Sequence, residues 1–271
     1  MMTEQQIYEA AASAGSGITR EDLRSETIAI NLEHVRARIA AAAYRVGRTP
    51  NEVTLVAVTK TQPLAVVQIA HHIGVRHFGE NRVEEGIPKM SALAESLGAL
   101  AKSNERPIWH MIGHIQHRKT AQAICFDMIH SVDSLRLAER LEARAAGQQR
   151  VVPVLLECNV SGEASKYGFP LANWQHDREK RDTFIQDVRT IARFAHLKLQ
   201  GLMTMAPIVP DAELARPVFA SLRALREVLR QEIPDVEWLH LSMGMTDDFE
   251  VAIEEGATIV RIGRAIFGER Q

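Results

Sequence analysis

An alternation of strand-like and helix-like segments runs through most of this chain and restricts the folds open to it. Helical or helix-compatible sequence separates eight short segments rich in β-branched and apolar residues. The predicted strands are 53–59, 75–78, 108–112, 127–132, 151–160, 199–205, 237–241 and 258–262. Eight strands joined by helical crossovers favour a closed parallel barrel, although a doubly wound open sheet has the same local pattern. We predict an α/β fold, a single-domain (β/α)8 TIM barrel with an N-terminal helical extension.

The 271 residues contain no linker-like stretch that would divide the barrel region. We assign residues 1–26 to an N-terminal extension and residues 27–271 to the barrel domain. An amphipathic helix is predicted from Thr27 to Val46, because its apolar positions recur every three or four residues. The irregular segment 169–181, with its mixed-charge cluster, is predicted to be a surface excursion before the sixth helix.

Charge and cysteine content exclude several classes of protein. Lys and Arg total 32 against 34 Asp and Glu, for a formal charge of −2 and no basic stripe, which argues against nucleic acid as a partner. No apolar run approaches the length of a membrane span, so no membrane partner is expected. Cys125 and Cys158 are too few for a disulfide framework. With no secretory signal recognisable near the N-terminus, these features indicate a cytoplasmic protein.

Lys60 ends the first predicted strand, which is a run of β-branched and apolar residues typical of a strand buried on both faces. In a barrel, the carboxyl ends of the strands and the loops after them build the site, so its amine is expected there. Partial burial lowers the pKa of an ammonium group, and a neutral amine can condense with an aldehyde to form a Schiff base. A strand-end lysine can equally well meet only water, and Lys60 therefore needs support from other residues.

The loops after the seventh and eighth predicted strands supply that support. Segments 242–248 and 260–265 each pass through a glycine and open a helix. Such loops commonly hold a phosphate through backbone N–H groups at the positive helix end, although plain capping explains either loop alone equally well. A Schiff-base lysine and a phosphate cradle in one barrel are what pyridoxal 5′-phosphate requires.

Other polar residues at the strand ends have simpler interpretations. His110 and His114 straddle a strand end and a turn, and no cysteine or carboxylate completes a zinc set, so no metal site is predicted. Glu80, Glu163 and Lys166 are expected at the rim of the site, in contact with one another or with water.

Seven segments carry a more specific signal. They are Val56-Ala57-Val58-Thr59-Lys60, His77-Phe78-Gly79-Glu80-Asn81, Trp109-His110-Met111-Ile112-Gly113-His114-Ile115-Gln116, Asn159-Val160-Ser161-Gly162-Glu163-Ala164-Ser165-Lys166, Gly201-Leu202-Met203, Leu241-Ser242-Met243-Gly244-Met245 and Val260-Arg261-Ile262-Gly263-Arg264-Ala265-Ile266-Phe267-Gly268. In order and in register over about residues 27–270, they closely resemble the pyridoxal phosphate homeostasis proteins of the YggS/PROSC type. The resemblance implies a barrel similar to the N-terminal domain of alanine racemases, with the cofactor held as an aldimine on Lys60.

The resemblance also implies how the phosphate is held. Ser242 and Gly244 would meet the phosphate on one side, and Gly263 and Arg264 on the other. Many relatives carry a small hydroxyl residue where this chain has Arg264. Its guanidinium could replace the hydroxyl or point away, so a phosphate contact by that side chain is left open.

Four further residues are assigned to the ring of the cofactor on the same basis. Arg261 would face the pyridine nitrogen, where a second positive charge opposes ring protonation and weakens the ring as an electron sink. Asn81 and Asn159 would line the pocket near the ring substituents, and Met203 would pack close by.

Two classes of function follow. A carrier would hold pyridoxal phosphate, take part in its intracellular homeostasis without catalysis, and pass it to PLP-dependent apo-enzymes, as a monomer or weak dimer. An amino-acid racemase would need a second base opposite Lys60. Alanine racemases that resemble this barrel receive a catalytic tyrosine from a partner subunit, and Tyr8, Tyr44 and Tyr167 offer no obvious counterpart. The sequence favours the carrier.

Overall fold

A closed barrel of eight parallel strands forms the centre of the computed structural model, which describes residues 19–98 and 105–269. The described residues contain nine strands, and all but β6 form the barrel: β1 (Thr54–Val58), β2 (His77–Glu80), β3 (Ile108–Met111), β4 (Met128–Val132), β5 (Val152–Asn159), β6 (Phe169–Pro170), β7 (Leu197–Met203), β8 (His240–Ser242) and β9 (Ile259–Ile262). Their order is β4-β3-β2-β1-β9-β8-β7-β5, the pairing of β4 with β5 closes the ring, and β6 pairs with β5 alone. The predicted (β/α)8 TIM barrel is confirmed.

Helices surround the barrel and bury apolar stripes against it. They are α1 (Arg20–Arg45), α2 (Leu64–His72), α3 (Val83–Leu97), α4 (Thr120–Ala123), α5 (Leu135–Gly147), α6 (Arg178–Ile191), α7 (Arg216–Glu232), α8 (Phe249–Glu254) and α9 (Arg264–Phe267). In α7 the buried residues Phe219, Leu222, Leu225 and Leu229 are three or four positions apart, as one face of a helix requires. Within residues 19–98 and 105–269, no helix is long and apolar enough to cross a membrane.

Helix α1 begins at Arg20, earlier than the predicted Thr27, because a capping box precedes it. The Thr19 hydroxyl accepts the backbone N–H of Asp22 at 3.1 Å, and the Asp22 carboxylate accepts the N–H of Thr19 at 2.9 Å. The predicted boundary between residues 26 and 27 therefore falls within a helix. Residues 1–18 of the predicted extension lie outside the described residues.

The sequence predicted that segment 169–181 is a surface excursion, but the structure shows this for only part of it. Phe169, Leu171 and Trp174 are buried, and the Trp174 indole N–H donates to Ser221 Oγ at 3.0 Å. Asp177 then caps α6 by accepting the backbone N–H of Lys180. The apolar side chains anchor the segment, and only its charged part follows the surface.

A small apolar cluster fills the middle of the barrel. It takes one residue from each of five strands, namely Val56, Met128, Leu155, Met203 and Ile259. Because successive residues of a strand face opposite sides of the sheet, the residues two positions away also point into the barrel. The carboxyl ends of the strands therefore open above a solid floor.

Candidate functional site

A cleft of about 480 Å3 lies where β1, β8 and β9 end, and the predicted residues Lys60, Arg261, Gly263 and Arg264 all line it. The floor beneath includes Met203, which is fully buried. The structure thus brings a primary amine and two guanidinium groups to one opening at the carboxyl end of the barrel.

Lys60 is half-buried in a tight turn directly after β1. The backbone N–H of Gln62 donates to the carbonyl of Thr59 at 3.0 Å and closes the turn around Lys60. Thr61, the next residue, has a φ of +65°, in the left-handed region that β-branched residues rarely adopt. The chain therefore reverses sharply at the lysine.

Arg261 extends from β9 into the barrel and is almost completely buried. Its two terminal nitrogens donate to Ser242 Oγ at 2.6 Å and to the carbonyl of Thr204 at 2.9 Å. Burial lowers the pKa of this guanidinium to about 10, while the Asp248 and Glu157 carboxyls oppose the shift. Arg261 thus remains a cation at neutral pH, held in a fixed direction.

Three imidazoles connect Ser242 to the opposite end of the barrel. His77 Nδ1 lies 2.9 Å from His110 Nε2, His110 Nδ1 lies 2.9 Å from His130 Nε2, and His130 Nδ1 lies 2.9 Å from Ser242 Oγ. His77 also lines a second cleft, of about 440 Å3, together with Arg36 and Arg76. We call His77, His110 and His130 the histidine chain.

The histidine chain is neutral near pH 7. Burial lowers the pKa of His110 to about 3, with His77 and His240 adding repulsion, and burial likewise holds the pKa of His130 well below its usual value. Burial also lowers the pKa of His77. A neutral imidazole donates from one nitrogen and accepts at the other, so the chain joins head to tail.

His114, the other histidine considered from the sequence, lies apart from this chain. Its Nδ1 is 2.9 Å from Asp133 Oδ2, and its ring stacks on Tyr167 with the centroids 3.9 Å apart. Within the described ranges, no group of three or more His, Cys, Asp or Glu side chains could hold a metal ion.

Glu157 is a buried carboxyl that the sequence reasoning did not single out. It pairs in register with Met203 and follows Leu155 by two positions, so it points into the barrel above the apolar cluster. Its Oε2 has no hydrogen-bond partner among the described residues. Burial, together with the nearby Asp133 carboxyl, raises its pKa to about 7 against the opposing effect of Arg261. An acidic residue within an otherwise apolar strand is the signal that could have revealed it.

Ser242 and Gly244, assigned to the phosphate, both have internal roles. Ser242 is fully buried between His130 and Arg261. Gly244 has a φ of +91°, and a Cβ there would come within 2.8 Å of Phe249 Cα and 2.6 Å of Ala252 Cβ. Glycine is therefore required for α8 to pack against this loop.

Asn159 and Arg264 also have partners within the protein. Asn159 Nδ2 donates to the carbonyl of Glu163 at 2.9 Å, and its Oδ1 accepts the N–H of Gly162 at 3.0 Å, so this side chain organises its own loop. Arg264 donates to Asp247 at 2.6 Å and joins the loops after β8 and β9. Asn81, which was also predicted to line the site, directly follows β2. Its backbone packs so closely on Gly113 that a Cβ at position 113 would clash with it.

Comparison with known proteins gives a consistent result. Residues 30–271 match the family model for the alanine racemase N-terminal domain. The chain is 39% identical over 241 residues to the pyridoxal phosphate homeostasis protein of Vibrio cholerae, a match that covers 89% of this chain and 95% of that protein. It is 38% identical over 246 residues to the protein of the same name from Escherichia coli K12, which covers 90% and 97%.

Solved structures agree with this fold. PipY of Synechococcus elongatus with PLP bound is 32% identical, has a TM-score of 0.73, and is matched over 89% of this chain and all of its own. An alanine racemase of Clostridium difficile 630 is 14% identical with a TM-score of 0.61, and the match covers 90% of this chain and 57% of the racemase. At that identity the racemase shows a shared fold alone.

Proposed function

This chain belongs to the family of pyridoxal phosphate homeostasis proteins, and from that premise we propose that it holds pyridoxal 5′-phosphate covalently on Lys60. We further propose that it takes part in intracellular PLP homeostasis, without catalysing a reaction of its own, and passes the cofactor to apo-enzymes that need it. The PLP-bound PipY structure supports the choice of cofactor.

The position of Lys60 carries this proposal. Its half-buried amine shares one cleft with the Arg261 cation and with the loops after β8 and β9. When bound, the cofactor supplies an aldehyde, with which the neutral amine of Lys60 would condense with loss of one water. A cleft of about 480 Å3 is of the size that small-molecule sites commonly have.

Arg261 supports a holding role over a catalytic one. Its two hydrogen bonds, to Ser242 Oγ and to the Thr204 carbonyl, fix the positive charge in the barrel. A fixed cation disfavours protonation of any nitrogen placed against it, and electron withdrawal by a pyridine ring depends on that protonation. The residue would therefore keep the bound cofactor unreactive.

We propose that the loops after β8 and β9 receive the phosphate, as the sequence predicts for Ser242, Gly244, Gly263 and Arg264. Gly263 and Arg264 line the cleft directly. The Arg264 guanidinium already donates to Asp247, so to contact the phosphate it would have to bind both groups at once or release Asp247. Ser242 lies beneath the cleft and would act on the phosphate only through Arg261, which donates to its Oγ.

Glu157 favours a second candidate, an amino-acid racemase. A buried carboxyl with a pKa raised to about 7 is suited to proton transfer near neutral pH, and it lies on the strand opposite β1 in the barrel. It would supply the second base that the tyrosines do not. Racemisation of either alanine enantiomer by the PLP-loaded protein, lost in Glu157→Gln, would favour this candidate over the carrier.

Borohydride trapping tests the covalent role of Lys60. Reduction of the PLP-loaded protein should convert the linkage into a stable secondary amine, which peptide mapping would find on Lys60. Lys60→Ala should lose the adduct, whereas Lys166→Ala, a matched change at a lysine outside the cleft lining, should keep it. An adduct on Lys119 or Lys166, or an undiminished adduct in Lys60→Ala, would refute the assignment.

A further inference from the structure

We propose that Glu85 and Lys89 of α3 are positioning residues for Lys60, and that they hold the backbone on both sides of it so that its amine faces the cleft. This inference rests on the proposed function of Lys60. Neither side chain lines the cleft, and both act on the turn from the helix behind it.

The residue before Lys60 is held by a buried ammonium. Lys89 Nζ donates to the carbonyl of Thr59 at 2.7 Å and to Glu80 Oε1 at 2.9 Å. The Thr59 hydroxyl donates to the same Glu80 oxygen at 2.7 Å, and the Thr59 N–H donates to the carbonyl of Gly79 at 3.0 Å. Thr59 and Glu80 are fully buried, so these bonds face little competition from water.

The residue after Lys60 is held by Glu85. One carboxylate oxygen, Glu85 Oε1, accepts both the backbone N–H of Thr61 and the Lys89 ammonium, the latter at 2.7 Å. Lys89 thus uses its three N–H bonds on Thr59, Glu80 and Glu85. The backbone before and after Lys60 is bonded to one connected cluster.

The turn needs this support because its backbone is strained. Thr61 has a φ of +65°, which places a β-branched side chain where the backbone crowds it. Such conformations persist when the surrounding structure over-determines them. The N–H of Thr61 is the group that Glu85 accepts, so this carboxylate holds the strained residue itself.

The direction of the Lys60 side chain depends on this backbone. A lysine reaches its target through four rotatable bonds, so a rotation at its Cα displaces the amine by more than the backbone moves. A displacement of about 1 Å can slow a reaction between positioned groups roughly a hundredfold. Loss of the Glu85 contacts should therefore slow the condensation at Lys60 more than it weakens the fold.

Glu84 offers a matched control next in sequence. It lies in the same first turn of α3, but its carboxylate pairs with Lys119 at 2.7 Å and is about half exposed. Removing Glu84 changes the charge and the helix terminus as much as removing Glu85, without touching the turn around Lys60.

The test measures how fast full-length apo-protein forms the borohydride-trappable adduct on Lys60 after addition of PLP. Glu85→Ala should slow adduct formation at least tenfold, and Glu84→Ala should leave the rate unchanged. Glu85→Gln should recover most of the rate, because the amide oxygen can still accept from Thr61 and Lys89. In a Lys60→Ala background, adding Glu85→Ala should leave the non-covalent dissociation constant for PLP unchanged, which separates positioning from general damage to the cleft.

An unchanged rate in Glu85→Ala would overturn the inference, and so would equal slowing in Glu84→Ala and Glu85→Ala. If a urea melt shows Glu85→Ala to be unfolded, Glu85→Asp replaces it. The shorter carboxylate cannot span both contacts and should be slower than Glu85→Gln, and equal rates would overturn the inference. Absence of a Lys60 adduct in the wild-type protein would instead refute the proposed function, so the two failures are distinguishable.

Discussion

The stability of the protein should depend on pH through His110, in the middle of the histidine chain. Its pKa is about 3 in the folded protein and 6.5 in an unfolded reference. Because the folded pKa is the lower one, the unfolded state takes up the proton first. The free energy of unfolding therefore falls as the pH decreases below about 6.5, and this contribution is flat above pH 7.

The size of this effect follows from the gap between the two pKa values. At pH 5 the unfolded histidine is protonated and the folded one is not. The effect scales with the distance of pH 5 below the unfolded pKa, which is about 1.5 pH units. At about 1.36 kcal/mol per unit, His110 alone should reduce the free energy of unfolding by about 2 kcal/mol between pH 7.5 and pH 5. In His110→Asn that pH dependence should be smaller by the same amount.

Urea unfolding at constant ionic strength, at several pH values from 7.5 to 5, measures this difference. Carboxyls such as Glu157 and Asp248, whose pKa values burial raises, act in the opposite direction, but they are common to both proteins and cancel in the comparison. His34→Asn, at an exposed position on α1, is the control and should follow the wild type. Identical pH dependence in His110→Asn and the wild type would refute the assignment of His110 as a buried neutral imidazole.

Three other measurements test separate parts of the structure. Pyridoxal should bind far more weakly than its phosphate ester, because the charge-assisted bonds at the loops after β8 and β9 have no other group to contact; equal dissociation constants would exclude a phosphate cradle. If Arg261 keeps the cofactor unreactive, α-proton exchange of amino acids in deuterium oxide should be slow or absent, and rates on the order of one per second or faster would show a catalyst. Between pH 5 and pH 7.5, the free energy of unfolding of Glu157→Gln should rise by about 2 kcal/mol relative to that of the wild type. The folded pKa of about 7 lies above the unfolded value of 4.5, so the wild type loses stability as the pH rises through this range. Urea unfolding without this relative rise would show that the carboxyl is not desolvated.

The barrel could be predicted from the sequence because strand and helix periods alternate clearly along the chain. The predicted ends of the strands were less accurate, because hydrogen-bond pairing with neighbouring strands decides where a strand begins and ends. The prediction 75–78 became His77–Glu80, in register with Val56 to Val58 of β1, and 237–241 became His240–Ser242, in register with β7. Local propensity carries no information on which neighbouring residue a strand will meet.

The site was predictable where one strand sufficed and not where several had to meet. Lys60 could be placed at the cleft from its position at the carboxyl end of one strand, whereas the role of Arg261, which also lines the cleft, was assigned from the family resemblance. The histidine chain depends on the register of β2, β3 and β4, and a shift of one residue would turn each imidazole to the other face. Glu80, expected at the rim, is fully buried beneath α3, because it faces the helix layer and not the barrel.

The histidine chain has a direction as well as a set of contacts. Each neutral imidazole carries a single N–H, so reversing one bond between His77 and His130 requires reversing them all. In one direction Ser242 donates its hydroxyl proton to His130; in the other His130 donates to Ser242 Oγ, and the hydroxyl proton turns elsewhere while Arg261 continues to donate to the oxygen. The cleft at His77 and the Ser242 hydroxyl beneath the cleft at Lys60 are therefore coupled. They share two alternative arrangements of hydrogen-bond protons, with every heavy atom in the same position in both.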